Sequence, residues 1–104
     1  IQNLEEITAV PGIDVVFVGP FDLSVSLGIP GEVNHPRETE AIDKILAVCL
    51  PKKIAVGIQL FDVPSIKTWV QKGMRLISYS SDSALLADAA AAGVAEIKRS
   101  IARA

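Results

Sequence analysis

The chain has 104 residues, 50% of them hydrophobic and 21% charged, and ten Lys and Arg stand against twelve Asp and Glu, for a formal net charge of −2. This balance is ordinary for a globular protein and excludes disorder throughout the chain, and the length allows one domain at most. The basic residues are scattered and no apolar stretch reaches the ~20 residues of a membrane span, so neither a nucleic acid nor a membrane is expected as a partner.

Short apolar runs alternate with amphipathic segments, which is the pattern of βα units on a parallel sheet. Residues 1–10 carry apolar side chains at helical spacing and stop at Pro11, which predicts a helix whose preceding strand is missing. The continuous apolar run Val15–Val18 predicts a strand covered on both faces. Because the first residue is Ile1 rather than Met, we expect the coding sequence to begin upstream.

The first strand is followed by Gly19 and Pro20, which predict a tight loop at its carboxyl end. Phe21 and Asp22 are expected on this loop, and residues 23–27 are expected to form a short turn of helix.

A Gly/Pro-containing loop is predicted over residues 28–34, and Pro36 is typical of a first helical position. The helix that starts there is expected to end near Pro51 and to bury one apolar stripe. The stripe consists of Ile42, Ile45, Leu46 and Cys49. Cys49 is the only cysteine, so it cannot form an internal disulfide, and we expect a cytoplasmic protein.

Two further βα units follow. Residues 54–60 predict a second buried strand, and residues 63–72 a helix with Ile66 and Val70 on its apolar face, closed by Gly73. A third, more polar strand is predicted at residues 76–79, and an Ala-rich helix over residues 84–103. The caps expected for this last helix are Ser81, Asp82 and Ser83.

Ligands of parallel α/β proteins bind at the carboxyl ends of the strands, which directs attention to the four residues from Gly19 to Asp22, to Gln59, and to Ser80 and Ser81. A carboxylate directly after a buried strand is suited to bind a hard divalent cation. The plainer alternative, which the spacing alone favours, is that it caps the short helical turn that follows. The pattern alone leaves both roles of Asp22 open.

The other chemically conspicuous residues have plainer structural interpretations. His35 is the only histidine and precedes Pro36 in a capping position, so we expect a surface or cap role rather than a general base. Cys49 is expected to be buried and unreactive, and Trp69 to serve in packing or in a contact between subunits. Glu5 and Glu6 are expected to be solvated.

The string from Val18 to Ser24, Val-Gly-Pro-Phe-Asp-Leu-Ser, closely resembles the carboxyl-terminal half of the HpcH/HpaI aldolase family of metal-dependent pyruvate aldolases. The likeness starts at Gly12 and covers nearly the whole chain. It continues through Leu27-Gly28, Asn34-His35-Pro36, the four residues from Ala55 to Ile58 and the five from Asp82 to Leu86. The resemblance implies a (β/α)₈ barrel, of which residues 1–104 would supply the last three βα units.

The resemblance also implies site residues. Asp22 stands at the family's metal-binding Asp, which would hold Mg²⁺, Mn²⁺ or Co²⁺ together with a Glu. Phe21 matches the residue whose backbone N–H holds the pyruvate carboxylate, and Gly19 and Pro20 shape that turn. Gln59 falls where the family lines its substrate pocket, although relatives often carry an apolar residue there.

The function implied is reversible cleavage of a 4-hydroxy-2-oxo acid to pyruvate and an aldehyde, through a metal-stabilised pyruvate enolate. The family's metal Glu, His base and Arg would precede Ile1, so no catalytic residue is identified and the chain alone is expected to be inactive. A CoA-ester lyase of the malyl or citryl type and a non-catalytic half-barrel are the alternatives. Because family members bury their last helix against a neighbouring subunit, a homo-oligomer formed through residues 84–103 is expected.

Overall fold

The computed structural model describes residues 1–102, which contain three strands: β1 (Val15–Val18), β2 (Ala55–Leu60) and β3 (Leu76–Tyr79). They form one sheet with β2 in the centre, and both pairs of neighbours run parallel. The predicted α/β class with parallel strands is confirmed. Since β1 and β3 each have one neighbour among the described residues, each leaves one edge unpaired there.

Five α-helices and a short 3₁₀ helix at Leu50–Lys52 accompany the strands within residues 1–102. The α-helices are α1 (Leu4–Thr8), α2 (Pro20–Ser26), α3 (Pro36–Cys49), α4 (Val63–Gln71) and α5 (Asp82–Ala102). Helix α1 is shorter than the predicted residues 1–10, because Pro11 disfavours a helical conformation at Val10. Glu5 and Glu6 are exposed on it, as expected. None of the helices in this part of the chain has both the length and the apolar character needed to cross a membrane.

The core lies between one face of the sheet and helices α1, α3 and α4. The strand residues that point into it are Val16, Val18, Val56, Ile58, Leu60 and Ile77. From α3, the predicted stripe Ile42, Ile45, Leu46 and Cys49 is buried throughout. Burial raises the pKa of the Cys49 thiol, which agrees with the expected unreactive role.

The opposite face of the sheet is open, and this corrects the expectation that β1 is covered on both faces. Val15 is 39% exposed and Phe17 is 48% exposed. The helices that form the core all pack on the other side, so no helix within residues 1–102 covers these two side chains. The continuous apolar run therefore marks a strand with two apolar faces. Helices within residues 1–102 cover only one of these faces.

Helix α4 confirms two sequence expectations and corrects a third. Asp62 caps it by accepting a hydrogen bond from the Ser65 N–H at 2.9 Å, and Gly73 ends it with a φ of 112°. Trp69 is buried in the core, which confirms the packing role. Val70, expected on the apolar face, is exposed, because it lies about 100° around the helix from Trp69.

Helix α5 starts at Asp82 rather than at residue 84, and Ser81 caps it by accepting a hydrogen bond from the Ala84 N–H at 3.2 Å. The last predicted residue of this helix, Arg103, lies outside the described residues. None of the described residues of α5 is buried, and the molecule measures 64 × 27 × 22 Å. Since a helix of this length spans about 30 Å, α5 projects from the sheet as an exposed arm.

Candidate functional site

A pocket of about 270 Å³ opens where β1 and β2 end and the following helices begin. Its lining is mostly apolar, with two polar side chains, Gln59 and Asp62. The apolar side chains are Pro20, Phe21, Val33, Leu60 and Phe61, and Gly31 completes the lining. Of the predicted site residues, the fold thus brings Pro20, Phe21 and Gln59 together in one pocket, whereas Gly19 and Asp22 lie beside it.

The chain turns directly from β1 into α2 at Gly19. Gly19 is the N-cap residue and Pro20 takes the first helical position, for which its fixed φ is suited. The first backbone hydrogen bond of the helix runs from the Leu23 N–H to the Gly19 carbonyl at 2.9 Å. Phe21 and Asp22 therefore lie in the first turn of a helix, which corrects the expectation that they lie on a loop before it.

Two backbone donors of this first turn have no backbone acceptor within residues 1–102. The N–H groups of Phe21 and Asp22 precede the first intrahelical hydrogen bond, as the leading N–H groups of every helix do. They are located at the carboxyl end of β1, beside the pocket. Such groups can donate hydrogen bonds to an anionic oxygen.

The Asp22 carboxylate is exposed and makes no hydrogen bond or ion pair within the described part of the chain. It therefore does not cap α2, which removes one of the two roles that the sequence leaves open. A Cβ atom built on Gly19 would lie 3.1 Å from Asp22 Oδ2, so the carboxylate is folded back over the turn. Glycine at position 19 leaves the space that this arrangement needs.

Ser24 holds the pocket wall together, a role that the sequence pattern does not predict. Its side chain is fully buried, and its Oγ donates to the Phe21 carbonyl at 2.6 Å and accepts from the Gly31 N–H at 2.9 Å. These two bonds fix the loop after α2 against the first turn of that helix. A serine two residues after Asp22 is the only local signal, and serine alone does not reveal a buried tie.

Gln59 lies on the open face of the sheet, opposite Ser78 in the register of β2 and β3. Its Nε2 donates to the Ser80 carbonyl at 3.3 Å. Ser80 is itself buried and has a positive φ of 58°. The strand-end residues of β2 and β3 that the sequence analysis selects are thus in direct contact.

Asp62 is a second pocket residue without a role in the sequence analysis. The hydrogen bonds from Ser65 lower the pKa of the Asp62 carboxyl, so it is ionised at neutral pH. One of its oxygens caps α4, which fixes the direction of the side chain. Its proximity to the pocket follows only from the packing of the loop after β2.

His35 and Ser81 have the capping roles that the sequence predicts. The Nδ1 atom of His35 accepts a hydrogen bond from the Arg37 N–H at 3.1 Å at the start of α3. No group of three or more His, Cys, Asp or Glu side chains within residues 1–102 is arranged to hold a metal ion. The described part of the chain therefore does not by itself complete a metal site at Asp22.

One acidic side chain is buried away from this pocket. Glu38, in the first turn of α3, has no exposed surface, and neither of its carboxylate oxygens has a hydrogen-bond partner among the described residues. Burial raises the pKa of Glu38. The positive end of the helix dipole favours a carboxylate at this position, and desolvation outweighs it.

Comparison with known proteins gives a consistent result. A family model described as HpcH/HpaI aldolase/citrate lyase matches residues 1–89. The chain is 39% identical over 82 residues to a hydroxypyruvate/pyruvate aldolase of Paraburkholderia phytofirmans, covering 79% of this chain and 32% of that protein. It is 35% identical over 91 residues to a 4-hydroxy-2-oxo-heptane-1,7-dioate aldolase of Salmonella paratyphi C, covering 88% and 35%.

A comparison of folds points to the same family. A crystal structure of an HpcH/HpaI aldolase/citrate lyase family protein from Burkholderia cenocepacia superposes with a TM-score of 0.90 at 36% identity, covering 93% of this chain and 38% of that one. The chain thus spans about a third of the length of the curated relatives it matches.

Proposed function

Because the chain belongs to the HpcH/HpaI aldolase/citrate lyase family, we propose that it supplies the metal-binding Asp and part of the substrate pocket of a metal-dependent pyruvate aldolase. The reaction is the reversible cleavage of a 4-hydroxy-2-oxo acid to pyruvate and an aldehyde. The observation that supports this best is the exposed, unpaired carboxylate of Asp22 next to two free backbone donors at the carboxyl end of β1.

The domain proposal explains the open face of the sheet. Three consecutive parallel strands with helices on one side are what the end of a (β/α)₈ barrel contributes. In a closed barrel, Val15 and Phe17 would point inward and be covered by side chains from the other strands. We propose that residues 1–104 form the last three βα units and that the other units complete the barrel.

Asp22 would hold Mg²⁺, Mn²⁺ or Co²⁺ through a carboxylate oxygen, together with ligands from the rest of the barrel. When bound there, the cation would polarise the C2 carbonyl of the 2-oxo acid. The N–H groups of Phe21 and Asp22 would donate to the carboxylate of the same substrate, as helix-start donors do toward anions. The substrate would then be oriented by its acidic end.

The proposed reaction requires two proton transfers. In the cleavage direction the bond between C3 and C4 breaks, the 4-hydroxyl loses its proton as the aldehyde forms, and C3 gains a proton as the methyl group of pyruvate. His35 caps α3 through its Nδ1 and does not line the pocket, so it would serve neither transfer. Both protons would therefore be exchanged with groups outside this chain.

The decisive experiment compares Asp22→Asn with Asp14→Asn in the full-length protein. Both aspartates are exposed and flank β1, but Asp14 precedes the strand and Asp22 follows it. We expect Asp22→Asn to weaken Mn²⁺ binding at least tenfold and to stop the metal-dependent exchange of pyruvate methyl protons in D₂O. Asp14→Asn, which removes the same charge, should change neither.

Equal behaviour of the two variants would contradict the metal role of Asp22. If the unmodified full-length protein neither binds Mn²⁺ nor exchanges these protons, the aldolase proposal fails and a non-catalytic module is favoured. Binding of a CoA ester without pyruvate exchange would instead support a lyase of the malyl or citryl type.

A further inference from the structure

Gln59 has a polar side chain whose orientation is set by the backbone. Its Nε2 faces the Ser80 carbonyl, and a carbonyl oxygen can only accept a hydrogen bond. The amide oxygen Oε1 must therefore point away from Ser80. Ser80 is a firm anchor because it is buried and its own N–H donates to the Leu60 carbonyl at 2.8 Å.

The Oε1 atom of Gln59 is available to a ligand. It has no hydrogen-bond partner within residues 1–102. The side-chain atoms that are buried without a partner in this part of the chain are the two Glu38 oxygens, so Oε1 of Gln59 is not buried. Oε1 is therefore in contact with solvent, and Gln59 lines the pocket at the end of β2. An accessible acceptor in a mostly apolar pocket selects ligands with a matching donor.

The rest of the lining defines which donor suits the pocket. Asp62 is the other polar side chain there, and one of its oxygens is engaged at the start of α4. Among the described residues, Oε1 of Gln59 is therefore the neutral side-chain acceptor of the pocket, and it suits a hydroxyl donor on the ligand.

We propose that Gln59 determines the aldehyde partner of the reaction, favouring an aldehyde that carries a hydroxyl group. This inference rests on the proposed aldolase function and specifies its second substrate. In the condensation direction, C3 of pyruvate loses a methyl proton and bonds to the aldehyde carbon, whose oxygen gains a proton. Throughout this step, the hydroxyl group that the aldehyde carries in addition to its carbonyl would donate a hydrogen bond to Oε1 of Gln59.

The test compares two aldehydes of nearly equal size, glycolaldehyde and propionaldehyde, in condensation with pyruvate by the full-length protein. The unmodified enzyme should prefer glycolaldehyde in kcat/KM. Gln59→Met, which keeps the unbranched shape and removes the acceptor, should lower that preference about three- to tenfold, the range of one neutral hydrogen bond. Ser78→Ala, which removes a polar group opposite Gln59 on the same face, should leave the preference unchanged.

Exchange of pyruvate methyl protons without aldehyde separates this inference from the function on which it rests. If Gln59→Met retains exchange and also retains the preference for glycolaldehyde, the inference is overturned while the aldolase proposal stands. If the unmodified enzyme performs no exchange, both are overturned. Should Gln59→Met fail to fold by circular dichroism, Gln59→Leu also removes the acceptor and gives the same comparison, and an unchanged preference in that variant also overturns the inference.

Discussion

The ring of Phe17 lies across Gly57 on the open face of the sheet, so close that a Cβ atom on the glycine would be 2.7 Å from Phe17 Cδ2. The same Cβ atom would lie 2.7 Å from the carbonyl oxygen of Leu76 in the neighbouring strand. The ring can shift, but the carbonyl belongs to the sheet backbone and cannot shift without disturbing the pairing of β2 with β3. Glycine is thus required at the centre of this sheet.

We predict that Gly57→Ala lowers the free energy of unfolding by about 1–3 kcal/mol, the cost of overpacking a closely packed site. Chemical denaturation of the full-length protein measures this. Gly93→Ala is the matched control, because no atom lies within 4 Å of a Cβ at that position in α5. It should stabilise the protein by up to about 1 kcal/mol through helix propensity. Equal effects of the two changes would contradict the close approach.

Local patterns predict much of this fold. The strands at Val15–Val18 and Leu76–Tyr79 and the buried stripe of α3 follow from runs of apolar residues and from 3.6-residue spacing. The start of α2 at Pro20 was missed because Gly19 and Pro20 suit a loop as well as a helix start. The exposure of Val15 and Phe17 depends on which helices are present, and a strand's own sequence does not contain that information.

The candidate site also contains residues that the sequence predicts and residues that it does not. Asp22 and Gln59 are recognisable because each lies at or near the end of a strand, where ligands of parallel sheets bind. Ser24 and Asp62 were missed because their contacts with the pocket wall are set by the loops after α2 and β2. The unpaired burial of Glu38 was also missed, since an acidic residue in a first helical turn ordinarily faces solvent.

We predict that Ser24→Ala destabilises the protein by about 1–3 kcal/mol, because it removes the acceptor of the Gly31 N–H and the donor to the Phe21 carbonyl. Faster amide hydrogen exchange at Gly31 would report the loosened pocket wall. Ser26→Ala is the control, since the Ser26 hydroxyl makes an exposed bond to the Asp22 carbonyl. If Ser26→Ala costs as much, burial is not the reason that Ser24 matters.

Glu38 should make stability depend on pH. Because its pKa is raised in the folded state, the folded protein holds this proton more tightly than the unfolded chain does. The resulting stabilisation is complete below the ordinary Glu pKa and is lost as pH rises through the raised value. We predict that Glu38→Gln, which is neutral at every pH, removes this loss.

Denaturation midpoints from about pH 4 to 8 measure the effect. Glu40→Gln, an exposed change on the same helix, should keep the pH dependence of the unmodified protein. An identical pH profile for Glu38→Gln and the unmodified protein would show that Glu38 is hydrated or paired in solution.

The capping role of His35 can be separated from a catalytic one. We predict that His35→Ala lowers the free energy of unfolding by about 0.5–1 kcal/mol, because the Arg37 N–H loses its acceptor, and that His35→Asn restores most of this stability. Exchange of pyruvate methyl protons should be unchanged in His35→Asn. A loss of exchange in a folded His35→Asn variant would assign the histidine a part in the reaction.

The last prediction concerns the exposed arm α5, through which we propose that the protein assembles into a homo-oligomer. Its large apolar side chains recur at helical spacing, and all are exposed. The most exposed of them are Leu86, Val94, Ile97 and Ile101. At 100° per residue these four fall within one stripe, whereas Ala95 and Arg99 lie on the opposite side of the helix.

Exposing an apolar stripe of a helix to water is unfavourable in free energy. A surface that covered the stripe would remove this cost. Ile97→Glu places a charge in the stripe, and we predict that it lowers the assembly mass in sedimentation velocity. Ala95→Glu adds the same charge on the opposite side and should leave that mass unchanged. Removal of residues 82–104 should reproduce the effect of Ile97→Glu. An unchanged mass after that removal would exclude α5 from the interface, whatever the single substitutions do.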